Sequence, residues 1–205
     1  MKLIKQAWAT KSDIESIPFQ SIIERYNITN WSRVWEYPFV ILNSDIKESL
    51  KILDIGCRSS HHLLYLGEKH CIRYGIDIEE AELDYVDHFQ KGNVLDIPFE
   101  DNTFDRIYCV SVLEHIEDIP PIEVIKRSLK EMERVARPGA LIAVTVDISS
   151  GNYKFKPQDF KQGYPFEVLP EPSDILLSDD SPEGRKLAGL GAKVFGFVLE
   201  NEFTY

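Results

Sequence analysis

KILDIGCRSS, residues 51–60, is an apolar run that ends at a glycine, and IRYGIDI, residues 72–78, repeats this form one helix length later. Short apolar runs bounded by glycine or polar residues are typical of buried strands. A strand, a helix and a second strand at this spacing predict a parallel βαβ unit with a right-handed crossover. The fold class that follows is α/β, with a mostly parallel sheet flanked by helices.

Further elements follow the same alternation along the chain. We predict strands near residues 88–93, at FDRIYCV (104–110), at ALIAVTVDI (140–148) and at VFGFVLEN (194–201). Residues 120–136 carry apolar positions at helical spacing, and Pro138 and Gly139 close that helix. Short helices are expected within residues 13–42, whereas residues 149–184 have a loop-like pattern.

The composition limits the partners. The 205 residues include 23 Lys and Arg against 34 Asp and Glu, a net charge of −11, so nucleic acid is not the expected partner. The three cysteines lie in or beside apolar runs and form no even set for a disulfide framework, which predicts reduced thiols in the cytoplasm. The sequence shows neither a signal peptide nor an apolar run of membrane-spanning length.

Two acidic residues mark the ends of the first two predicted strands. Asp54 precedes Gly56 at the turn after the first strand, where an open α/β sheet binds its ligand and where Ser59 or Ser60 could cap the next helix. Asp77 follows 21 residues after Gly56, at a position from which a carboxylate accepts ribose hydroxyls. A nicotinamide-dependent dehydrogenase would share Asp77, but it requires a G-x-G-x-x-G turn and only Gly56 is present.

Two longer stretches make the pattern specific: GNVLDIPFEDNTFDRIYCVSVLEHIED at 92–118 and EMERVARPGALIAVTV at 131–146. With LDIGC and GIDIE, they resemble the ordered motifs of class I S-adenosylmethionine-dependent methyltransferases, close to methyltransferase type 11, over residues 50–148. The resemblance implies a Rossmann-like sheet of seven, or six, strands whose last strand is antiparallel. It also implies S-adenosylmethionine as cofactor and a small-molecule or sugar-like methyl acceptor.

The resemblance assigns roles to particular residues. It places Gly56 beside the methionine part of the cofactor, Asp77 on the ribose and Asp96 on the adenine amino group, and it places Ser111 to His115 at the methyl group. The further residues predicted to bind the cofactor are Asp54, Cys57, Ser59, Ile78, Ile97 and Ser111.

His115 and Glu114 are the predicted catalytic residues. His115 would remove a proton from a hydroxyl acceptor, because the pKa of an imidazole lies near ~6.5. The alternative is that both residues only pin the chain by hydrogen bonds. Some relatives hold a metal with Glu-x-x-Glu-His; here Ser111 occupies the first position, so no metal site is expected.

The domain prediction has three parts within one domain of 205 residues: an N-terminal helical cap at 1–49, a cofactor-binding core at 50–148 and a C-terminal elaboration at 149–205. WSRVWEYPFVIL, residues 31–42, is expected to lid the cofactor or to pack its aromatic side chains in the core.

The main departure from the family pattern is Arg58-Ser59-Ser60, which replaces the usual glycine-rich loop after Gly56. We expect cofactor binding to survive this change, with serine hydroxyls and backbone N–H groups serving the cofactor carboxylate. The alternative is a non-catalytic binding module with a degenerate loop. The sequence does not predict the oligomeric state.

Overall fold

A computed structural model describes residues 1–30, 32–60, 62–148, 155–163, 169–170, 173 and 193–202. In this part of the chain a single sheet contains seven strands: β1 (Lys2–Trp8), β2 (Lys51–Ile55), β3 (Ile72–Asp77), β4 (His88–Lys91), β5 (Phe104–Val110), β6 (Ala136–Ile148) and β7 (Lys193–Glu200). Their order is β1-β7-β6-β5-β2-β3-β4. Strands β2 to β6 are parallel, whereas β7 is antiparallel to β6 and to β1.

Helices cover the two faces of the sheet. The described helices are α1 (Lys11–Glu15), α2 (Ile17–Arg25), α3 (Arg33–Leu42), α4 (His62–Glu68), α5 (Pro121–Val135) and α6 (Pro157–Gly163), and two 3-10 turns lie at Cys57–Ser59 and Leu113–His115. Side chains of α5 and α6 share one buried cluster with one sheet face, and side chains of α2, α3 and α4 share a second cluster with the other face. The buried strands therefore have the cover on both sides that their apolar sequences require.

Helix α3 shows how closely these layers pack. Its rings Trp35 and Phe39 are stacked with centroids 4.5 Å apart. Phe39 lies against Gly196 of β7, where a Cβ atom would come within 2.6 Å of the ring. The aromatic stretch before β2 is therefore anchored in the core by its apolar face.

The mixed α/β fold with an antiparallel strand after the parallel core is confirmed. The predicted strands at 51–55 and 104–110 agree with β2 and β5, and the predicted helix at 120–136 agrees with α5. The strand predicted at 140–148 begins earlier, at Ala136, because Ala136 pairs with Phe104 of β5. The pairing is then irregular as far as Arg106 and Leu141, and residues 137–140 bulge out there.

Two segments differ from the predictions. Residues 2–8 form the edge strand β1, paired with β7, rather than part of a helical cap. Residues 157–163 form α6, although their sequence pattern is loop-like. Most of the C-terminal elaboration at 149–205 lies outside the described residues, and the division of the chain into cap, core and elaboration stays a prediction.

The strand order places a site at one edge of the sheet. From β2 the chain proceeds to β3 and β4 on one side, and then returns to β5 on the other side of β2. Where the order reverses, the loops after β2 and β5 diverge and leave a crevice at the carboxyl ends of the strands. Open α/β sheets bind their ligands in such a crevice, so the predicted site residues are expected to line it.

Candidate active site

A cavity of about 410 Å³ lies at the carboxyl ends of β2, β3 and β5. Its size is within the range of small-molecule sites, which are mostly apolar with a few polar groups. Five of the predicted site residues line it: Gly56, Asp77, Ile78, Ser111 and His115. The other lining residues are Ile55, Ile76, Gly92, Asn93, Val94, Val112, Ile116 and Glu117.

Gly56 lines the cavity, and its position requires a glycine. Its backbone has the left-handed conformation with φ +77°, which a residue with a Cβ atom rarely adopts. A Cβ atom there would also lie 2.6 Å from Cγ2 of Val112, on the loop after β5. The glycine thus lets the loops after β2 and β5 approach each other across the crevice.

The loop that follows Gly56 is held by two tyrosines. The single O–H of Tyr85 is shared between the carbonyls of Cys57 (3.2 Å) and Arg58 (2.7 Å), and Tyr37 of α3 donates to the carbonyl of Ser59 (2.7 Å). Three successive carbonyls of the loop are therefore contacted by two phenolic O–H groups. These contacts fix the path of a loop that lacks the family's glycines.

The Arg58 side chain does not occupy the crevice. It forms an ion pair with Glu79 and is half exposed, and it is not among the lining residues. Ser59 is also exposed and outside the cavity lining. The side chain of Cys57 points into the sheet, where its Sγ would be 2.6 Å from a Cβ at Gly75, and burial, with the carboxylates of Asp54 and Asp77, raises the pKa of its thiol to about 12.

The cavity wall opposite this loop is formed by the ends of β3 and β4. Asp77 ends β3 and accepts one hydrogen bond from the backbone N–H of Glu79 (3.2 Å), which leaves its carboxylate capacity for further donors. Ile78 follows as an exposed apolar residue, 67% accessible, at the mouth of the cavity. An apolar side chain beside a carboxylate suits a nucleoside, whose base is flat and apolar and whose ribose carries two hydroxyls.

Asp96 and Ile97, both predicted to bind the cofactor, lie outside the cavity, whereas residues just before them line it. Asn93 and Val94 line the cavity, whereas Asp96 is exposed and outside the lining, and Ile97 is buried in the core with its N–H bonded to Glu131. Asn93 is not among the residues predicted from the sequence to bind the cofactor. Its position directly after Gly92 at the end of β4 was the available signal, because parallel strands present their carboxyl-terminal residues to the same edge.

The loop after β5 also lines the cavity, through Ser111 before the turn Leu113–His115 and through His115 at the end of that turn. Ser111 has a left-handed backbone (φ 49°), and its N–H donates to the carbonyl of Thr145 on β6 (3.0 Å). Burial and the positive charge of Arg33 lower the pKa of His115, against the opposing charge of Glu36. The imidazole is therefore neutral at pH 7 and able to accept a proton.

Glu114, the other predicted catalytic residue, is not among the cavity-lining residues. Its Oε1 accepts the N–H of Asp147 (3.2 Å), and its buried Oε2 has no hydrogen-bond partner among the described residues. Burial and the Asp147 carboxylate raise the pKa of Glu114 to about 8, so it holds a proton at neutral pH. This geometry supports a structural contact between the turn and β6.

Asp54 lies under the loop rather than in the cavity. It is buried, and its Oδ1 is 3.1 Å from Nε2 of the buried His62 at the start of α4. Tyr37 stacks obliquely on the His62 ring, with centroids 4.6 Å apart. The second carboxylate oxygen of Asp54 and Nδ1 of His62 have no hydrogen-bond partner among the described residues. Asp54 thus joins β2 to α4 below the cofactor loop.

Comparison with known proteins agrees with this geometry. A family model described as a methyltransferase domain matches residues 53–144, which contain most of β2, β3 to β5, α4, α5 and all eleven predicted site residues. Residues 53–144 therefore match a methyltransferase domain, and this match supports S-adenosylmethionine as the cofactor.

Related proteins include two curated methyltransferases. The chain is 27% identical over 130 residues to ajmaline N-methyltransferase of Rauvolfia serpentina, covering 55% of this chain and 43% of the relative. It is 31% identical over 106 residues to O-methyltransferase resE of Aspergillus sclerotiorum, covering 45% and 38%. The chain thus spans about two fifths of the length of these relatives.

One solved structure shows how far the fold extends. A geranyl diphosphate methyltransferase in complex with GPP and sinefungin superposes with a TM-score of 0.62 at 11% identity, over 82% of this chain and 78% of that chain. At this identity the likeness concerns the fold. The methyltransferase fold is therefore shared well beyond the segment that the family model matches.

The cavity of the methyltransferase domain fits an adenosyl group. It has the required volume, Arg58 does not block it, and Asp77 stands beside the apolar Ile78. Among the described residues there is no group of three or more His, Cys, Asp or Glu that could hold a metal ion. Among the described helices, none is both long enough and apolar enough to cross a membrane.

Proposed function

We propose that this chain transfers a methyl group from S-adenosylmethionine to a small-molecule or sugar-like acceptor placed near Ser111 to His115. The observation that carries the proposal is the open cavity at the switch point of the sheet, with Asp77 at one end and His115 at the other. The two ends match the two tasks of such an enzyme, which are to hold a nucleoside and to receive an acceptor.

The cofactor, when bound, supplies an electrophilic methyl group on its sulfonium sulfur. Methyl transfer by direct displacement needs no protein nucleophile, so the work of the chain is to align donor and acceptor and to exclude water. Asp77 would accept the ribose hydroxyls, with Ile78 and Asn93 beside the base. Gly56 would let the backbone approach the methionine part.

His115 is the proposed base for a hydroxyl acceptor. Its lowered pKa keeps the imidazole neutral at pH 7, so it can take the acceptor's proton as the oxygen attacks the methyl carbon. We expect His115→Gln to reduce turnover about 100-fold or more with a hydroxyl acceptor, because general base catalysis contributes on that order. An amine acceptor that is already neutral would be affected much less.

The curated relatives inform the acceptor class. Their names describe an N-methylation of ajmaline and an O-methylation, which supports a small molecule as acceptor here as well. The net charge of −11 supports a partner other than nucleic acid. We also propose a cytoplasmic location, supported by three free, buried cysteines.

Calorimetry with the purified chain tests the proposal. We expect binding of S-adenosylmethionine and S-adenosylhomocysteine, and release of S-adenosylhomocysteine when hydroxyl or amino acceptors are added. Absence of any binding heat at millimolar ligand, on protein that unfolds cooperatively, would refute the enzymatic function. The chain would then be a non-catalytic module with a degenerate loop.

A further inference from the structure

Helix α3 contacts both loops that form the cavity, through two adjacent residues. Tyr37 donates its O–H to the carbonyl of Ser59, on the loop after β2. Glu36 accepts the hydroxyl of Ser111, on the loop after β5, at 2.6 Å. The two loops lie on opposite sides of the crevice, so α3 connects its two walls.

Glu36 is an unusual residue to find in this position. It is fully buried, and its Oε1 accepts hydroxyl groups from both Ser111 and Thr145, each at 2.6 Å, while Arg33 pairs with Oε2. Burial opposes ionisation of the carboxyl, but Arg33 and the two hydroxyls outweigh it and lower its pKa. A buried carboxylate with three donors is a strong and specific contact, because leaving any partner unpaired is costly.

The consequence of this contact reaches the cavity directly. Glu36 and the Thr145 carbonyl together hold Ser111 in a left-handed conformation that is unfavourable for a serine. That conformation sets the direction of the next residues, including Val112, which packs on Gly56, and His115. A shift at Ser111 would therefore move the end of the cavity where methyl transfer is proposed.

We infer that α3 is a brace for the cofactor site, in which Glu36 and Tyr37 act as positioning residues that hold the loops after β5 and β2 in their binding geometry. This inference rests on the proposed function, because it takes the cavity to be the cofactor site. The brace compensates for the missing glycine-rich loop: tyrosine and carboxylate contacts from outside fix a path that glycines would otherwise allow.

Two substitutions test the brace without touching a cavity-lining residue. Tyr37→Phe removes the bond to Ser59 and keeps the ring, and Thr145→Val removes one donor from Glu36 with little change of shape. Matched controls remove a similar bond elsewhere: Tyr26→Phe loses the bond to Glu68, and Thr103→Val loses the bond to the Glu100 carbonyl.

Calorimetry with S-adenosylhomocysteine, at a temperature where thermal scans show each variant to be folded, gives the dissociation constants to compare. Since a hydrogen bond contributes on the order of 1 kcal/mol, we expect each brace variant to raise the dissociation constant about threefold to tenfold. The controls should stay within about twofold of the wild type even where their melting temperatures fall equally. Faster amide exchange at residues 58–60 and 111–115, in the brace variants alone, would support the same conclusion.

The outcomes separate the two proposals. If the wild type fails to bind S-adenosylhomocysteine, the proposed function is wrong. If the wild type binds and both brace variants bind within twofold of it, the function stands and the brace is refuted. Should Thr145→Val fail to fold, Tyr37→Phe and its control decide alone.

Discussion

Glu114 provides the sharpest test of the electrostatics at the end of β5. Burial and the neighbouring Asp147 carboxylate raise its pKa from an ordinary 4.5 to about 8. The folded protein therefore keeps this proton to a higher pH than the unfolded chain does. The contribution to stability is fully present below pH 4.5, falls between pH 4.5 and 8, and is lost above that range.

Replacing Glu114 with Gln should remove this loss of stability at high pH. The glutamine oxygen can still accept the N–H of Asp147, and the amide group can donate toward the Asp147 carboxylate without titrating. One pKa unit corresponds to about 1.4 kcal/mol, so the full shift from 4.5 to about 8 sets an upper limit of about 5 kcal/mol, and we expect a relative gain of at least about 2 kcal/mol at pH 9. For a chain of this size that is a rise in melting temperature of about 4–8 °C.

Thermal unfolding of the wild type and Glu114→Gln from pH 5 to pH 9 measures the effect. The difference between the two melting temperatures should increase steadily with pH, because titrations common to both proteins cancel. The same substitution at the exposed Glu100 controls for the loss of one charge. A difference that stays flat across the range, or that declines with pH, would show that Glu114 is ionised in the folded protein.

Two further substitutions test the cofactor end of the cavity. Gly56→Ala should lower the free energy of unfolding by about 2–5 kcal/mol, since a left-handed backbone and the 2.6 Å approach to Val112 both oppose a Cβ atom. Gly67→Ala is the control in melting and binding measurements, because a Cβ atom there would meet only the end of an arginine side chain. Asp77→Asn should weaken S-adenosylhomocysteine binding about tenfold or more in calorimetry, whereas Asp96→Asn should leave it unchanged, because of these two residues only Asp77 lines the cavity. If both substitutions weaken binding equally, the predicted contact of Asp96 with adenine would be favoured.

The parallel core could be predicted from sequence because its signals are local. β2 and β5 are short runs of mostly apolar residues, and α5 has a clear apolar face, so their limits agree with the prediction within a residue or two. Asp77 and Gly56 could be selected for the same reason, since the edge of a parallel sheet fixes where strand-ending residues lie.

β1 could not be predicted in this way. Its sequence KLIKQAW has three polar residues among seven, and it becomes a strand only because it pairs with β7, almost 190 residues later in the chain. The contacts of Arg58 and Asp54 could not be predicted either. Arg58 pairs with Glu79 and Asp54 with His62, and no local sequence pattern marks either partner.

The loop after β2 shows why a missing motif is weak evidence of a missing site. Glycines in such a loop serve two purposes: they allow unusual backbone angles, and they leave room for a ligand. Here the one left-handed position is still Gly56, and the bulky Arg58 side chain points to Glu79 outside the cavity. The remaining requirement is an ordered backbone, which Tyr37 and Tyr85 supply through three carbonyls. Those tyrosines lie well before and after the loop in sequence. The physical functions of the glycine-rich motif can therefore be kept although its glycines are replaced.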